Sequence, residues 1–158
     1  MKYKILFSTF IILIGAFALF FFSFHTYEKV YLYYYNSEKD KDENGNIMCS
    51  RKGLDRVERK IPTSKTLISD TLHLLLQGKI TQEEKQQGMS TEFPLSGFEL
   101  VSSSIREGVL TLTFKDPENK TSGGSCRVGI LWFQIEATSK QFSQVQTVRF
   151  IPEELFQP

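Results

Sequence analysis

GMSTEFPLSGFELVSSSIREGVLTLTF, residues 88–114, holds two strands and the turn between them. Leu110, Leu112 and Phe114 alternate with Thr111 and Thr113, the period of a strand with one buried face and one wet face. Phe98 to Ile105 precedes it as a partner, and Glu107-Gly108 supplies the turn of a hairpin. A hairpin with one apolar face is half a core and needs a second layer to cover it.

Helices on either side can supply that layer. From Lys65 to Gln77 the residues Ile68, Leu72, Leu75 and Leu76 fall at i, i+4, i+7 and i+8, and Gly78 sits where a glycine cap belongs. Thr81-Gln-Glu-Glu84 has the form of a capping box and opens a short polar helical turn. Downstream, Asp116 to Ser125 (DPENKTSGGS) is a loop. From Cys126 to Gln141 the helical period returns, with Val128, Leu131, Trp132, Ile135 and Phe142 on one face. Val145 to Ile151 reads as a closing strand before Pro152. Further upstream, Lys29 to Tyr35 (KVYLYYY) and Val57 to Ile61 read as strands, the second stopped by Pro62. The order β-β-α-β-β-α-β predicts an α+β fold, a two-layer α/β sandwich whose mainly antiparallel sheet carries two helices on one face.

The first 24 residues differ in kind. Ile5 to Phe24 (ILFSTFIILIGAFALFFFSF) is free of charge, and as a helix it spans about 30 Å, the thickness of a bilayer core. Lys2 and Lys4 on its short N-terminal side favour a cytoplasmic N-terminus. Residues 1–24 are thus expected to form a single-pass membrane anchor, signal-anchor helix 5–24, with residues 29–156 folded outside the cytoplasm. A cleaved signal peptide is the competing reading, since Ala16-Phe17-Ala18 has the small-x-small form of a cleavage site. The apolar run nevertheless continues through Phe24. No Cys near the segment offers a lipid anchor.

Composition narrows the function classes. The chain has 158 residues, with Lys+Arg 19 against Asp+Glu 18 and a formal net charge of +1. That balance lacks the basic excess of a nucleic-acid binder, and the length suits one exported domain.

The helix IPTSKTLISDTLHLLLQGKIT, the 88–114 block, the GGS that opens the second helix and the closing VQTVRF together resemble a GerMN domain, over about Tyr31 to Phe156. The helix-strand-strand-helix-strand order of residues 65–151 also resembles the ring-building motifs of secretion and sporulation complexes. The GerMN resemblance implies a membrane-tethered extracytoplasmic module of the bacterial cell envelope. It implies a module that binds other proteins, with no known catalytic residues to carry over, and the expected partner here is an envelope or cell-wall assembly protein. This chain departs from lipoprotein members in lacking an anchor Cys, and it has one domain copy where some members have two.

Candidate chemistry is sparse. His25 and His73 are the two histidines, which suggests no Ser-His-Asp or Cys-His set. Glu83-Glu84 and Glu153-Glu154 lie in polar surface stretches, although a hydrolase pair depends on distance in space and so leaves a cell-wall hydrolase as an alternative. Gly123-Gly124 suits a tight loop-to-helix turn, without the Gly-Lys-[Ser/Thr] of a phosphate-binding loop. The loop from Asp40 to Ile47 places Asp40, Asp42, Asn44 and Gly45 at positions 1, 3, 5 and 6 of a calcium loop, with Asn46 as a further oxygen donor. Arg51 stands where such loops need a bidentate carboxylate, and the flanks read as strands. A polar turn at Asn44-Gly45 is therefore the expectation, with no cofactor, and a calcium or small-ligand sensor is the alternative. Cys49 and Cys126 lack zinc-site or C-x-x-C company. In an oxidising compartment they are expected to form a disulfide, with two separate buried thiols as the rival.

Overall fold

The computed structural model describes residues 26–157. The anchor expected at 5–24, the alternative cleavage site and His25 lie outside the described residues. Among the described residues no helix is long and apolar enough to cross a membrane.

Strand β1, Tyr27–Asn36, alternates Val30, Leu32 and Tyr34 into the core and pairs antiparallel with β2, Leu54–Pro62, from Tyr27 to Tyr35. Residues 37–53 join them as a long excursion with 3-10 turns at each end. Helix α1, Leu67–Leu76, buries Leu72 and Leu75 and ends at Gln77. Gly78 then takes φ +62, and its N–H donates to the Leu75 carbonyl at 2.9 Å. Helix α2, Gln82–Gln86, starts with the full capping box: Thr81 Oγ1 accepts from the Glu84 amide, and Glu84 Oε2 accepts from the Thr81 amide. Strand β3, Met89–Ser90, follows; its two residues carry no periodicity from which a strand could be read. The hairpin β4, Glu99–Arg106, and β5, Val109–Lys115, has a register shift at Leu100/Ser102. Helix α3, Ser125–Lys140, leads to β6, Thr147–Ile151, which adds parallel to β5.

The expected single sheet is in fact two, ordered β2-β1-β3 and β4-β5-β6. The physical reason lies on the second edge of β1. Gln141 Oε1 accepts from the Tyr31 amide at 2.7 Å, and its Nε2 donates to the Tyr31 carbonyl at 2.6 Å. Thr138 Oγ1 accepts from the Tyr33 amide at 3.1 Å. Side chains at the end of α3 thus take the hydrogen bonds that a neighbouring strand would otherwise make. Only Tyr35 and Asn36 remain to pair with β3. The helices are also not confined to one face of one sheet: α1 and α3 pack on each other and each touches both sheets. Between them lies one core containing Leu32, Tyr34, Leu72, Leu75, Leu110, Leu112, Leu131 and Ile135. Its aromatic end stacks Phe98 on Phe114 at 4.7 Å, and Phe150 meets Trp132 and Phe156 at 5.2 and 5.1 Å. Leu155 and Phe156, beyond the last strand, are buried there as well.

Candidate functional site

The 37–53 excursion holds most of the residues singled out in the sequence, and it is built as a fixed structure. Asp40, 3% exposed, lies beneath it. Its Oδ2 accepts from the Tyr35 hydroxyl at 2.6 Å and the Ser50 amide at 2.5 Å, and its Oδ1 accepts from the Ser50 hydroxyl at 2.5 Å. Burial opposes ionisation of this carboxyl, but the bonds from Ser50 and Tyr35, with the charge of Lys52, outweigh it and hold it below the usual carboxylate range. Burial, together with the hydrogen bond to Asp40, pushes the Tyr35 phenol up to about 12.

Asp42 closes the tip. Its Oδ1 accepts from the amides of Asn44 and Asn46 at 2.9 and 2.8 Å, and its Oδ2 accepts from Asn46 Nδ2 at 2.9 Å. Gly45, at φ +85, completes the turn with an N–H to the Asp42 carbonyl at 3.0 Å. The Asn44-Gly45 turn is therefore present as expected. Asp40 and Asp42 serve different partners, Asp40 inward and Asp42 along its own turn. Among the described residues no group of three or more His, Cys, Asp or Glu side chains is placed to hold a metal ion.

Two ties fasten the excursion to α3. Cys49 is joined to Cys126 in the first turn of the helix, with Cα atoms 5.2 Å apart. Arg51 pairs with Glu136 at 2.6 Å and lies over the Phe133 ring at 4.2 Å from its centroid. Arg51, which stands where a calcium loop needs a carboxylate, thus has a packing role that no calcium-loop pattern indicates.

The remaining candidates are dispersed. His73 is exposed on the rim of a groove of about 560 Å³ floored by Leu76, Pro94, Phe98 and Leu100. Glu84 is committed to Arg59, both oxygens at 2.7 Å from the guanidinium, as well as to its cap. Arg59 also donates to the Lys79 carbonyl, to which the Tyr34 hydroxyl donates as well, so this cluster clamps β2 to the turn before α2. Burial pushes the Tyr34 phenol up to about 12. Glu153 pairs with Arg149, and Glu154 is exposed. Gly124 is the N-cap of α3, as the loop-to-helix turn requires. An apolar cavity of about 380 Å³, walled by Val109, Trp132, Val148 and Phe150, opens beside β6. Sequence reasoning did not find it, because its walls come from β5, α3 and β6, which only the fold brings together.

A family model described as "Germane: Sporulation and spore germination" matches residues 31–153. A solved structure, the tandem GerMN domains of the sporulation protein GerM from Bacillus subtilis, is similar with a TM-score of 0.51 and 18% identity. The similarity covers 83% of this chain and 41% of that one, so the chain spans about two-fifths of that length. A search of the curated proteins finds no match.

Proposed function

Because the chain belongs to the Germane family of sporulation and spore germination domains, we propose that it is a non-catalytic interaction module. It is anchored in a bacterial cytoplasmic membrane, stands outside the cytoplasm and engages an envelope or cell-wall assembly protein. One observation carries the reading. Strand β1 opens at Tyr27, so only His25 and Thr26 separate the folded domain from the uncharged run that ends at Phe24. A domain attached without a linker is held against the bilayer surface, where a tethered module meets its partners at raised local concentration. Further support comes from the carboxylates weighed for catalysis, since Glu84 and Glu153 are each engaged with an arginine.

In-cell crosslinking with probes spread over the exported domain tests the reading. Recovery of one defined envelope protein is expected, and capture of bulk lipid alone would refute it. The alternatives have their own readouts. Saturable heat with millimolar calcium would favour a sensor, and muropeptide release by the purified protein would favour a cell-wall hydrolase. Neither is expected.

A further inference from the structure

Strand β4 ends the β4-β5-β6 sheet, with no strand beyond it among the described residues. Glu107 and Gly108, at φ +50 and +79, form the two-residue turn in which Arg106 and Val109 are a hydrogen-bonded pair. Alternation then turns the N–H and C=O of Ser103 and Ile105 away from β5. Helix α1 does not seal this edge. A groove of about 420 Å³ separates its first residues from Ser103, Ser104 and Ile105, and the groove of about 560 Å³ separates its last turn from Leu100. Val101 and Ile105 are 51% and 42% exposed. The other edges are guarded or short. Strand β2 carries Asp55, Arg56, Glu58, Arg59 and Lys60, β3 has two residues, and β6 has five with Arg149 at its centre. Between Glu99 and Arg106, β4 has no charge at all.

The strand's own sequence identifies the occupant. Antiparallel pairing with β4 of a second copy, about a two-fold axis at Ser103, sets Ser103 against Ser103 and Ser102 against Ser104, like face to like face. The register shift at Leu100/Ser102 moves the residues before it by one position. Ile105 therefore falls opposite Leu100 on the core face, and Arg106 opposite Glu99 on the outer face. Without the shift, Glu99 and Arg106 would point to opposite faces. Both are exposed, and neither forms a salt bridge among the described residues. Self-pairing gives each its opposite charge across the seam. It also seats Ile105 at the groove floored by Leu76, Pro94, Phe98 and Leu100. The other charges of this face, Lys65, Lys79 and Lys115 against Asp70 and Glu107, nearly cancel. A two-fold axis holds both Tyr27 ends at one height along it, as two chains sharing one membrane require.

We propose that β4 pairs with β4 of a second copy of this chain, joining the two β4-β5-β6 sheets into one across a two-fold axis at Ser103. The pairing stands on the fold and goes beyond the envelope partner proposed above.

The test is cysteine crosslinking of the full-length chain in its own membrane, with Ser103→Cys at the axis and, for comparison, Glu154→Cys at an exposed position beyond β6. Opposed Cα atoms in a hydrogen-bonded antiparallel pair lie about 5.5 Å apart, within disulfide reach. After mild oxidation Ser103→Cys should give a covalent band at twice the chain mass, at least tenfold stronger than that from Glu154→Cys. In the Ser103→Cys chain, Glu99→Arg alone or Arg106→Glu alone sets like charges opposite each other and should lower the yield tenfold or more. The two swaps together should restore it. Both residues are exposed, so the melting temperature should be unchanged in every variant. No dimer at 103, an adduct there to a different protein, or equal yields at 103 and 154 would overturn the proposal. So would single swaps without effect, or a double swap that fails to restore the band.

Discussion

Removing the Cys49–Cys126 link should cost more stability than any other single change on the surface of the domain. The bond closes a sequence separation of 77 residues. In the chain-entropy description such a loop restricts the unfolded state by about 4.5 kcal/mol at 25 °C. Cys126 is exposed and Cys49 half-buried, so replacement by serine strands no hydroxyl in the core and adds little packing cost. With about 2.1 cal/mol/K of unfolding entropy per residue over the folded region, that loss lowers the melting temperature by about 16 °C. The assay is thermal unfolding of the oxidised protein and of the Cys49→Ser, Cys126→Ser double variant, followed through the near-ultraviolet signal of Trp132. Arg51 still holds the excursion to Glu136 in the variant, so the native spectrum should persist below the transition. A fall of less than about 4 °C would refute the reasoning, since the entropic term would then be largely missing. Two free thiols titrating in unreduced, unfolded protein would refute it outright.

Other expectations follow from specific contacts. Gln141→Leu strands the amide and carbonyl of Tyr31 on the β1 edge; a loss of about 2–4 kcal/mol in denaturant unfolding is expected, with faster hydrogen exchange at Tyr31. Gly78→Ala would drive a Cβ into the Phe93 carbonyl from a backbone at φ +62; a loss of about 3 kcal/mol or more should appear in the same assay. Asp40 is held below its unfolded value, so the stability it confers is present above about pH 4 and lost as pH falls through its folded value. Asp40→Asn should therefore flatten the acid limb of a stability–pH curve, leaving the part due to Asp42, Glu84, Asp116 and Glu136, which are also depressed. At the alkaline end Tyr35 is raised to about 12, so stability should decline between about pH 10 and 12 as the unfolded phenol ionises first.

The sequence revealed what periodicity and caps encode. The alternation of Leu110, Leu112 and Phe114, the i, i+4 spacing of α1 and α3, the Thr81 capping box and the Gly78 cap all appear at or within a few residues of their expected places. The Asn44-Gly45 turn was legible for the same reason, because turn chemistry is local. The division into two sheets was not. It depends on Gln141 reaching Tyr31, 110 residues away, and a polar residue past the end of a helix looks like solvent-facing surface. Short β3 and the burial of Leu155 and Phe156 escaped because two-residue segments carry no period. In the excursion, the oxygen donors at calcium-loop spacing could be read from sequence. The inward turn of Asp40 onto Tyr35 and Ser50, and the place of Arg51 over Phe133, needed three dimensions.

Everything proposed about partners depends on residues 26–157 standing outside the cytoplasm on an uncleaved anchor. Protease treatment of intact protoplasts, read by immunoblot of the membrane pellet with an antibody to the folded domain, tests that placement directly. The domain signal should vanish from the pellet without lysis, after having been wholly pellet-bound and at full-length mass before treatment. Protection until the membrane is opened, or recovery of a shortened chain in the medium, would contradict it.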